Sequence, residues 1–421
     1  MDMTKFASTD DPGFAAVCGE LCRWIKEMDR VEIRHENSSR SDRGGSQDRH
    51  GSCGAQCGWN SSSGIPARAR ERIDHWDNPD GFNVTHSGTT ASTMIIERRP
   101  PRPATRRDFE VAIICALTLE ADATAALFDH YWDDDGPPYD KAPGDPNAYS
   151  TGAIGRHNVV LAHIPGMGKA NAAAVAVNCR VSFPNVKLAL VVGVCGAVPF
   201  GPGGEEIVLG DVIVSDGVVQ YDFGRRLPSH FVRKDTLLDS LGRPNAEIRS
   251  LLAKLKSLRG RKTLHSKMAG YLEALRREPD LAAEYPGITY DRLFEAAYHH
   301  VRDKVSCEQL DCDGKLVPRR RLEAAQDNPQ PTIHFGLIAS GDTVMKSGEE
   351  RDAIAAVEDV IAFEMEGAGV WDSFPCVVIK GACDYADSHK SKAWQRYAAA
   401  TAAACMKAFL DQWVPLLPAG A

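Results

Sequence analysis

From Phe109 onward the chain alternates short, continuous apolar runs with stretches whose apolar residues recur every three or four positions, the pattern of strands alternating with helices. Phe109 to Cys115 predicts a buried strand, followed through Ala116-Leu117-Thr118-Leu119-Glu120 by a helix to about Phe128. A loop rich in Pro, Asp and Gly spans Asp133 to Pro146, and Ser150–Ile154 with Asn158–His163 alternates like a hairpin. Pro165-Gly166-Met167-Gly168-Lys169 then turns into an alanine-rich helix, Ala170 to Val181. The backbone N–H groups of such a turn are free to meet an anion or a polar ligand edge, but the GxxxxGK[ST] phosphate-loop spacing is missing, and a tight turn of this kind more often serves structure alone.

Leu188–Val192 predicts a strand leaving through Gly193-Val194-Cys195-Gly196-Ala197, and Asp211–Ser215 with Val218–Gly224 continues the sheet. Residues 227 to 328 change character. Charged helices are predicted over Ala246–Leu258, Met268–Arg277 and Arg292–Val301, with an exposed Arg319-Arg320-Arg321. This stretch is expected to be a helical insertion on the edge of the core, its charges solvated. The sheet resumes at Thr332–Asp342, Ser347-Gly348-Glu349-Glu350 predicts a capped helix start, and Tyr397–Leu410 predicts an alanine-rich helix packed on a sheet face.

Residues 1 to about 105 lack this periodicity. Thr9–Met28 predicts one amphipathic helix, and the Gly, Ser and Arg sequence up to Gly64 cannot bury enough surface to offset chain entropy, so a disordered extension is expected before a domain at 106–421. Cys18-x3-Cys22 and Cys53-x3-Cys57 are not read as zinc sites, because one pair follows a helical period and the other lies in Gly/Ser sequence. No residue set suggests a metal.

The chemistry concentrates at Phe363-Glu364-Met365-Glu366-Gly367, where a strand hands over to an apolar helix. A carboxylate buried there without a partner costs several kcal/mol, so it must accept hydrogen bonds, bind a metal or stay protonated. Asp384 closes the next strand, the place where open α/β sheets hold ligand groups. Composition narrows the possibilities: 43% hydrophobic and 25% charged residues in 421 are ordinary for a soluble chain, and a net charge of −8 argues against nucleic-acid binding. Of twelve cysteines, Cys115, Cys195, Cys376 and Cys383 lie in apolar runs and read as packed thiols of a reducing compartment. Without a signal sequence or a long apolar span, a cytoplasmic protein with no membrane association is expected.

Seven motifs in order resemble the nucleoside phosphorylase and nucleosidase superfamily, in particular its fungal branch found alone or at the N-terminus of NLR-type receptors. They are Cys115-Ala116-Leu117-x-x-Glu120, Gly193 to Ala197, Leu209-Gly210-Asp211-Val212, Val219 to Gly224, Ile338 to Asp342, Phe363 to Glu366, and Cys383 to Ser388. The resemblance covers about Phe109 to Leu410. It implies a three-layer α/β/α sandwich around a mixed, partly barrel-like sheet, a small-molecule nucleoside substrate, no cofactor, and a homo-oligomer.

By resemblance to methylthioadenosine/adenosylhomocysteine nucleosidases, Asp384 is the general acid at purine N7, Glu366 holds the ribose hydroxyls and Glu120 activates the attacking water. Met365 packs under the sugar and base, and Val344 stands where the base is read; Glu364, Gly193, Val194, Cys195, Gly196 and Phe223 complete the expected substrate site. Val194 replaces a serine frequent in the family. The chemistry agrees: expelling a base through an oxocarbenium-like sugar needs protonation of the base and negative charge near the sugar, and a partly apolar strand end is expected to raise the pKa of Asp384.

Phosphorylases of this superfamily need arginines to hold phosphate. Here Val191 stands where the hexameric bacterial enzymes carry one, and Glu120 would repel the anion, so hydrolysis is favoured over phosphorolysis. Arg225, Arg226, Lys169 and Lys346 form a candidate anion site for phosphate or a nucleotide. A regulatory module without turnover is the remaining alternative. With no NTPase domain or repeat array after Ala421, a self-contained enzyme is expected instead.

Overall fold

Strand β1 (Val111–Cys115) has no polar side chain and is almost fully inaccessible along its length. That burial on both faces is what a central parallel strand under two helical layers requires. In the computed structural model, which describes residues 101–302, 305–325 and 329–415, β1 pairs in parallel with β4 (His157–His163) and β5 (Leu188–Ala197). The expected hairpin forms as β3 (Ala148–Ile154) against β4, with the short β2 (His130–Tyr131) outside it. Beyond β5 the sheet continues through β11 (Cys376–Asp384), β6 (Val212–Gln220), β9 (Ile333–Ser340) and β10 (Val360–Glu364). Phe363 and Ala362 of β10 then pair back onto Gly196 and Ala197 of β5, closing these five strands into a barrel. The two apolar runs on either side of Gly217 are one strand, β6, with a register shift between Ser215 and Gly217.

Helices α1 (Thr118–Ala125) and α8 (Gln395–Leu410) pack together, and α8 lies along β5, β11 and β6. Gly381 explains the tightness of that seam: a β-carbon there would come within 2.0 Å of the Ala398 carbonyl oxygen, a close approach only glycine permits. Helices α2 (Lys169–Ser182) and α7 (Gly367–Trp371) pack against each other, α2 on β1 and β4, α7 on β6 and β11. This is the expected layered α/β architecture with a partly closed mixed sheet. Helix α6 (Gly348–Glu358) starts where predicted, with Ser347 Oγ accepting the Glu350 N–H.

The insertion departs from expectation in four ways. Helix α3 (Ala246–Lys256) is followed at once by α4 (Leu258–Arg276), because Ser257 caps the second helix through the Gly260 N–H. Rather than sitting at a sheet edge, α4 packs on α8, which is why α8 is buried from Tyr397 to Leu410 on every face. The predicted helix at 292–301 does not form. Its backbone is used in tertiary contacts: Phe294 bridges to Leu316, and the His300 N–H donates to Ser388 Oγ. Finally, Arg319-Arg320-Arg321, just ahead of and within α5 (Arg320–Ala324), is not a solvated run. Arg319 is 5% exposed with Nη2 on the carbonyls of Pro199 and Ile207, and Arg321 pairs with the buried Asp211; Arg320 alone points outward.

Cys115, Cys195, Cys376 and Cys383 are buried free thiols, as read from their apolar neighbours. Among the described residues no helix is long and apolar enough to cross a membrane. The Thr9–Met28 helix, the extension to residue 100 and the cysteine pairs at 18, 22, 53 and 57 lie outside the described residues.

Candidate active site

The site is built where the C-terminal ends of β5, β10 and β11 meet the start of α1. Glu120, in the first turn of α1, accepts the N–H groups of Ala116 and Leu117 on Oε2 (3.0 and 2.9 Å), tying the helix to the strand before it. Its Oε1 accepts the Val194 N–H at 2.7 Å. A β-carbon on Gly193 would fall 2.1 Å from that oxygen, so glycine at this strand exit exists to admit the carboxylate. One acceptor position on Oε1 remains for a solvent molecule or ligand.

Glu364 and Glu366, two residues apart, divide their work. The Glu364 carboxylate accepts the N–H groups of Glu366 and Gly367 at 3.0 Å, capping α7 and turning the chain so that Met365 and Glu366 face the cleft. Glu366 accepts the Gly168 N–H on Oε1 (3.3 Å) and Lys380 Nζ on Oε2 (3.0 Å). Asp384 ends β11 at a register shift against β5 between Ala382 and Asp384, an irregularity that re-aims the side chain. Its Oδ1 accepts the Ala386 N–H (2.8 Å) and Lys390 Nζ (2.5 Å), while Oδ2 has the Cys383 thiol at 3.5 Å. Ala386 sits in the left-handed region at φ 53°, a rare state for alanine held here by that turn.

Electrostatically the centre is Lys380, 1% exposed in mid-strand. Burial alone would lower its pKa, but Glu366, Glu120 and Glu364 around it hold it above its ordinary value. Burial pushes the Glu120 carboxyl up, and Lys380 pulls part of that back. The same balance leaves Glu364 raised. Burial acts against the charge of Lys390, yet the Asp384 carboxylate beside it keeps its pKa raised.

Glu120, Glu364, Glu366, Asp384 and Lys390 open on one cleft, whose wall includes Met167, Val194, Val344, Phe363 and Met365, with Lys380 buried outside its lining. Glu120, Glu366 and Asp384, more than 260 residues apart at the extremes of the chain order, line it together.

Residues 110–411 match the sequence profile of the Phosphorylase superfamily. The chain belongs to this superfamily. A nucleotide-binding leucine-rich repeat (NLR)-like protein of Hyaloscypha variabilis is 36% identical over 310 residues, 72% of this chain. The chain spans only 29% of that relative's length. A 5'-methylthioadenosine/S-adenosylhomocysteine nucleosidase of Mycobacterium bovis is 24% identical over 276 residues, 64% of this chain and 86% of the enzyme. Among solved structures, the nucleosidase of the same name from Helicobacter pylori superposes with a TM-score of 0.46 at 18% identity, covering 73% of this chain and 99% of that one. Futalosine hydrolase of Helicobacter pylori gives 0.43 at 18% identity, with 73% and 99% covered.

Of the residues expected at the superfamily site, Glu120, Val194, Cys195, Gly196, Val344, Glu364, Met365, Glu366 and Asp384 line the cleft, with Gly193 directly behind Glu120. Phe223 does not. It is 41% exposed, away from the cleft lining, with Lys234 Nζ 5.3 Å from its ring centre. The candidate anion site is not assembled there either: Lys169 Nζ is held by Asp222 at 2.5 Å and Asp342 at 3.7 Å, Arg225 lies exposed on the ribbon of β7 (Gly224–Arg226) and β8 (Phe231–Arg233), and Lys346 is exposed. The glycine-rich turn does meet anions, but two carboxylates of its own chain, since Gly168 and Lys169 donate N–H groups to Glu366 and Asp342.

Sequence reasoning missed Lys380 and Lys390. A lone lysine inside Val377-Val378-Ile379-Lys380-Gly381 was the available signal, because an apolar strand tolerates a buried cation only opposite carboxylates. Lys390 gave no such signal; only the return of its loop brings it to Asp384. Among the described residues, the one grouping with metal-ligand chemistry, His300, Cys307, Cys312 and His389, lies beside this cleft and not in its wall.

Proposed function

We propose that this cleft hydrolyses the N-glycosidic bond of purine nucleosides, releasing free base and ribose. The observation that carries the reading is the convergence of Glu120, Glu366 and Asp384 on one cavity, each with acceptor capacity left over after its internal hydrogen bonds. In this reading a proton on Asp384 Oδ2 passes to N7 of the leaving base, and Lys390 on Oδ1 stabilises the carboxylate left behind. Glu366, anchored by Gly168 and Lys380, accepts the sugar hydroxyls and sets negative charge beside the developing cation. Glu120 takes a proton from the water that attacks the anomeric carbon. Met167, Phe363 and Met365 supply the apolar surface for base and sugar. The similarity to enzymes named as nucleosidases supports the same class of reaction.

Phosphorolysis is disfavoured by charge. Four carboxylates line the cleft, and the lysine among its lining residues, Lys390, is already bonded to Asp384, so a phosphate would meet net negative surroundings. The NLR-like relative favours one other reading, a nucleoside-binding regulatory module without turnover. Incubating the pure protein with adenosine, guanosine, inosine and uridine, with and without phosphate, and following free base by chromatography separates the three. Base and ribose released without phosphate is the expected outcome; ribose-1-phosphate formed only with phosphate, or saturable binding with no base released, overturns it. A homo-oligomer belongs to the same proposal, and sedimentation of the pure protein checks it.

A further inference from the structure

Within the insertion, His300, Cys307 and Cys312 come together with His389, which lies five residues after Asp384 on the loop that leaves β11. The four candidate ligand atoms all fall within 4.8 Å of one another. His300 Nδ1 is 3.3 Å from Cys312 Sγ and 3.8 Å from Cys307 Sγ, and His389 Nδ1 is 3.6 Å from Cys307 Sγ. A tetrahedral zinc ion with ordinary bond lengths sets its nitrogen and sulfur ligands about 3.5 Å apart and two sulfurs about 3.8 Å apart, so these separations are those of a ligand cage.

The imidazoles are also oriented as ligands. His300 Nε2 donates to the Val305 carbonyl at 2.7 Å, and His389 Nε2 donates to the Tyr298 carbonyl at 3.0 Å. With the proton of each ring committed outward, both Nδ1 lone pairs point into the cluster, the arrangement by which a backbone carbonyl fixes the tautomer of a metal-bound histidine. His389 is buried and stacks on Tyr298 at 5.0 Å with the rings 7° from parallel, which fixes its plane. Two thiols and two imidazoles at tetrahedral spacing suit zinc above magnesium or calcium, which take oxygen ligands.

We propose that His300, Cys307, Cys312 and His389 bind one zinc ion that fastens the insertion to the loop following Asp384. The spacing Cys307-x4-Cys312 is within the range of zinc knuckles, but the matching pair is two histidines 89 residues apart (300 to 389), which no local motif reveals. The same loop is held at other points, by Arg351 Nη1 on the Tyr385 carbonyl, by Asp291 on the Tyr385 hydroxyl and by Ser388 on the His300 N–H. The metal adds a clamp next to Lys390, the partner of Asp384. It stands apart from the chemistry of the cleft, so this inference does not depend on the proposed hydrolysis.

The test uses the full chain in a background carrying Cys18→Ser, Cys22→Ser, Cys53→Ser and Cys57→Ser, so that cysteines outside the cluster do not contribute. Purified without chelator, it is expected to hold one zinc per chain by mass spectrometry of the metal. Exchange for cobalt should give the visible bands of a tetrahedral ion with thiolate charge transfer, whose intensity falls to roughly half in Cys307→Ser. Chelation should lower Tm and release the Ser388–Lys390 amides to hydrogen exchange. Absence of zinc together with no cobalt spectrum under reducing conditions overturns the proposal, as does a Cys307–Cys312 disulfide in the freshly purified protein. Zinc retained at full stoichiometry in Cys307→Ser/Cys312→Ser also overturns it. If that double variant does not fold, the cobalt spectrum of the cysteine-intact cluster decides.

Discussion

Two centres of buried charge flank β11, and they differ in how completely they are satisfied. Asp211, fully inaccessible, accepts from Val208 and Thr332 N–H groups, from His334 Nε2 and from both terminal nitrogens of Arg321. Burial alone would raise its carboxyl, yet the hydrogen bonds from His334 and Arg321 bring it below its ordinary value. Its backbone is locked to β11 as well, the Ala382 N–H donating to the Asp211 carbonyl. At the cleft the reverse holds: Glu120 and Glu364 share one lysine, and burial leaves both raised. The difference teaches what distinguishes a structural carboxylate from a reactive one. Five donors exhaust Asp211, whereas the cleft carboxylates keep acceptor positions turned toward an open cavity.

The largest expected effect separates the two centres outright. Asp384→Asn should reduce base release about 10²- to 10⁴-fold, the range for loss of a general acid, with Tm unchanged; an undiminished rate removes Asp384 from that role. Arg321→Leu should do the opposite, costing roughly 3 kcal/mol of stability by urea unfolding while the cleft carboxylates stay in place, the low end for breaking a buried pair because Arg321 is partly exposed. A loss under about 0.5 kcal/mol would mean that the remaining donors, Val208, Thr332 and His334, hold Asp211 without Arg321. The pH dependence follows the same sign. Since Asp211 titrates below 3.8 in the folded state, its stabilisation is complete above 3.8 and disappears as pH falls through the lower folded value.

Lys380→Met sharpens the comparison from the other side. Lys380 pulls the raised carboxyl of Glu120 back down, so its removal should move the acid limb of the rate profile to higher pH. An acid limb that stays put, measured in a variant that still folds, would remove Glu120 from the role of base. The smallest effect belongs to Arg320→Ala. Its side chain is 88% exposed between two anchored arginines, and stability should change by less than about 0.5 kcal/mol in the same urea assay.

Much of this was legible before any coordinates. Continuous apolar runs such as Val111–Cys115 and Cys376–Ile379 read as central strands because two-sided burial favours unbroken apolar sequence. Glu364, Glu366 and Asp384 stand out for the matching reason, carboxylates placed where such strands end, whereas Glu120 is singled out only by the family resemblance. The misreadings share one cause. The predicted helix at 292–301 and the solvated arginines at 319–321 are each assigned from neighbours in sequence, while their partners lie far along the chain: Leu316 and Ser388 for the first, Asp211 for the second.

What the amino-acid order determined alone is the strands and helices of the core, the family, and the carboxylates available for chemistry, since periodicity and strand ends are local properties. Only the tertiary structure decided which charge answers which. Lys380 found three carboxylates, Asp211 found Arg321, and His389 found two cysteines, because electrostatic and ligand pairing depends on distance through space and on what water is excluded.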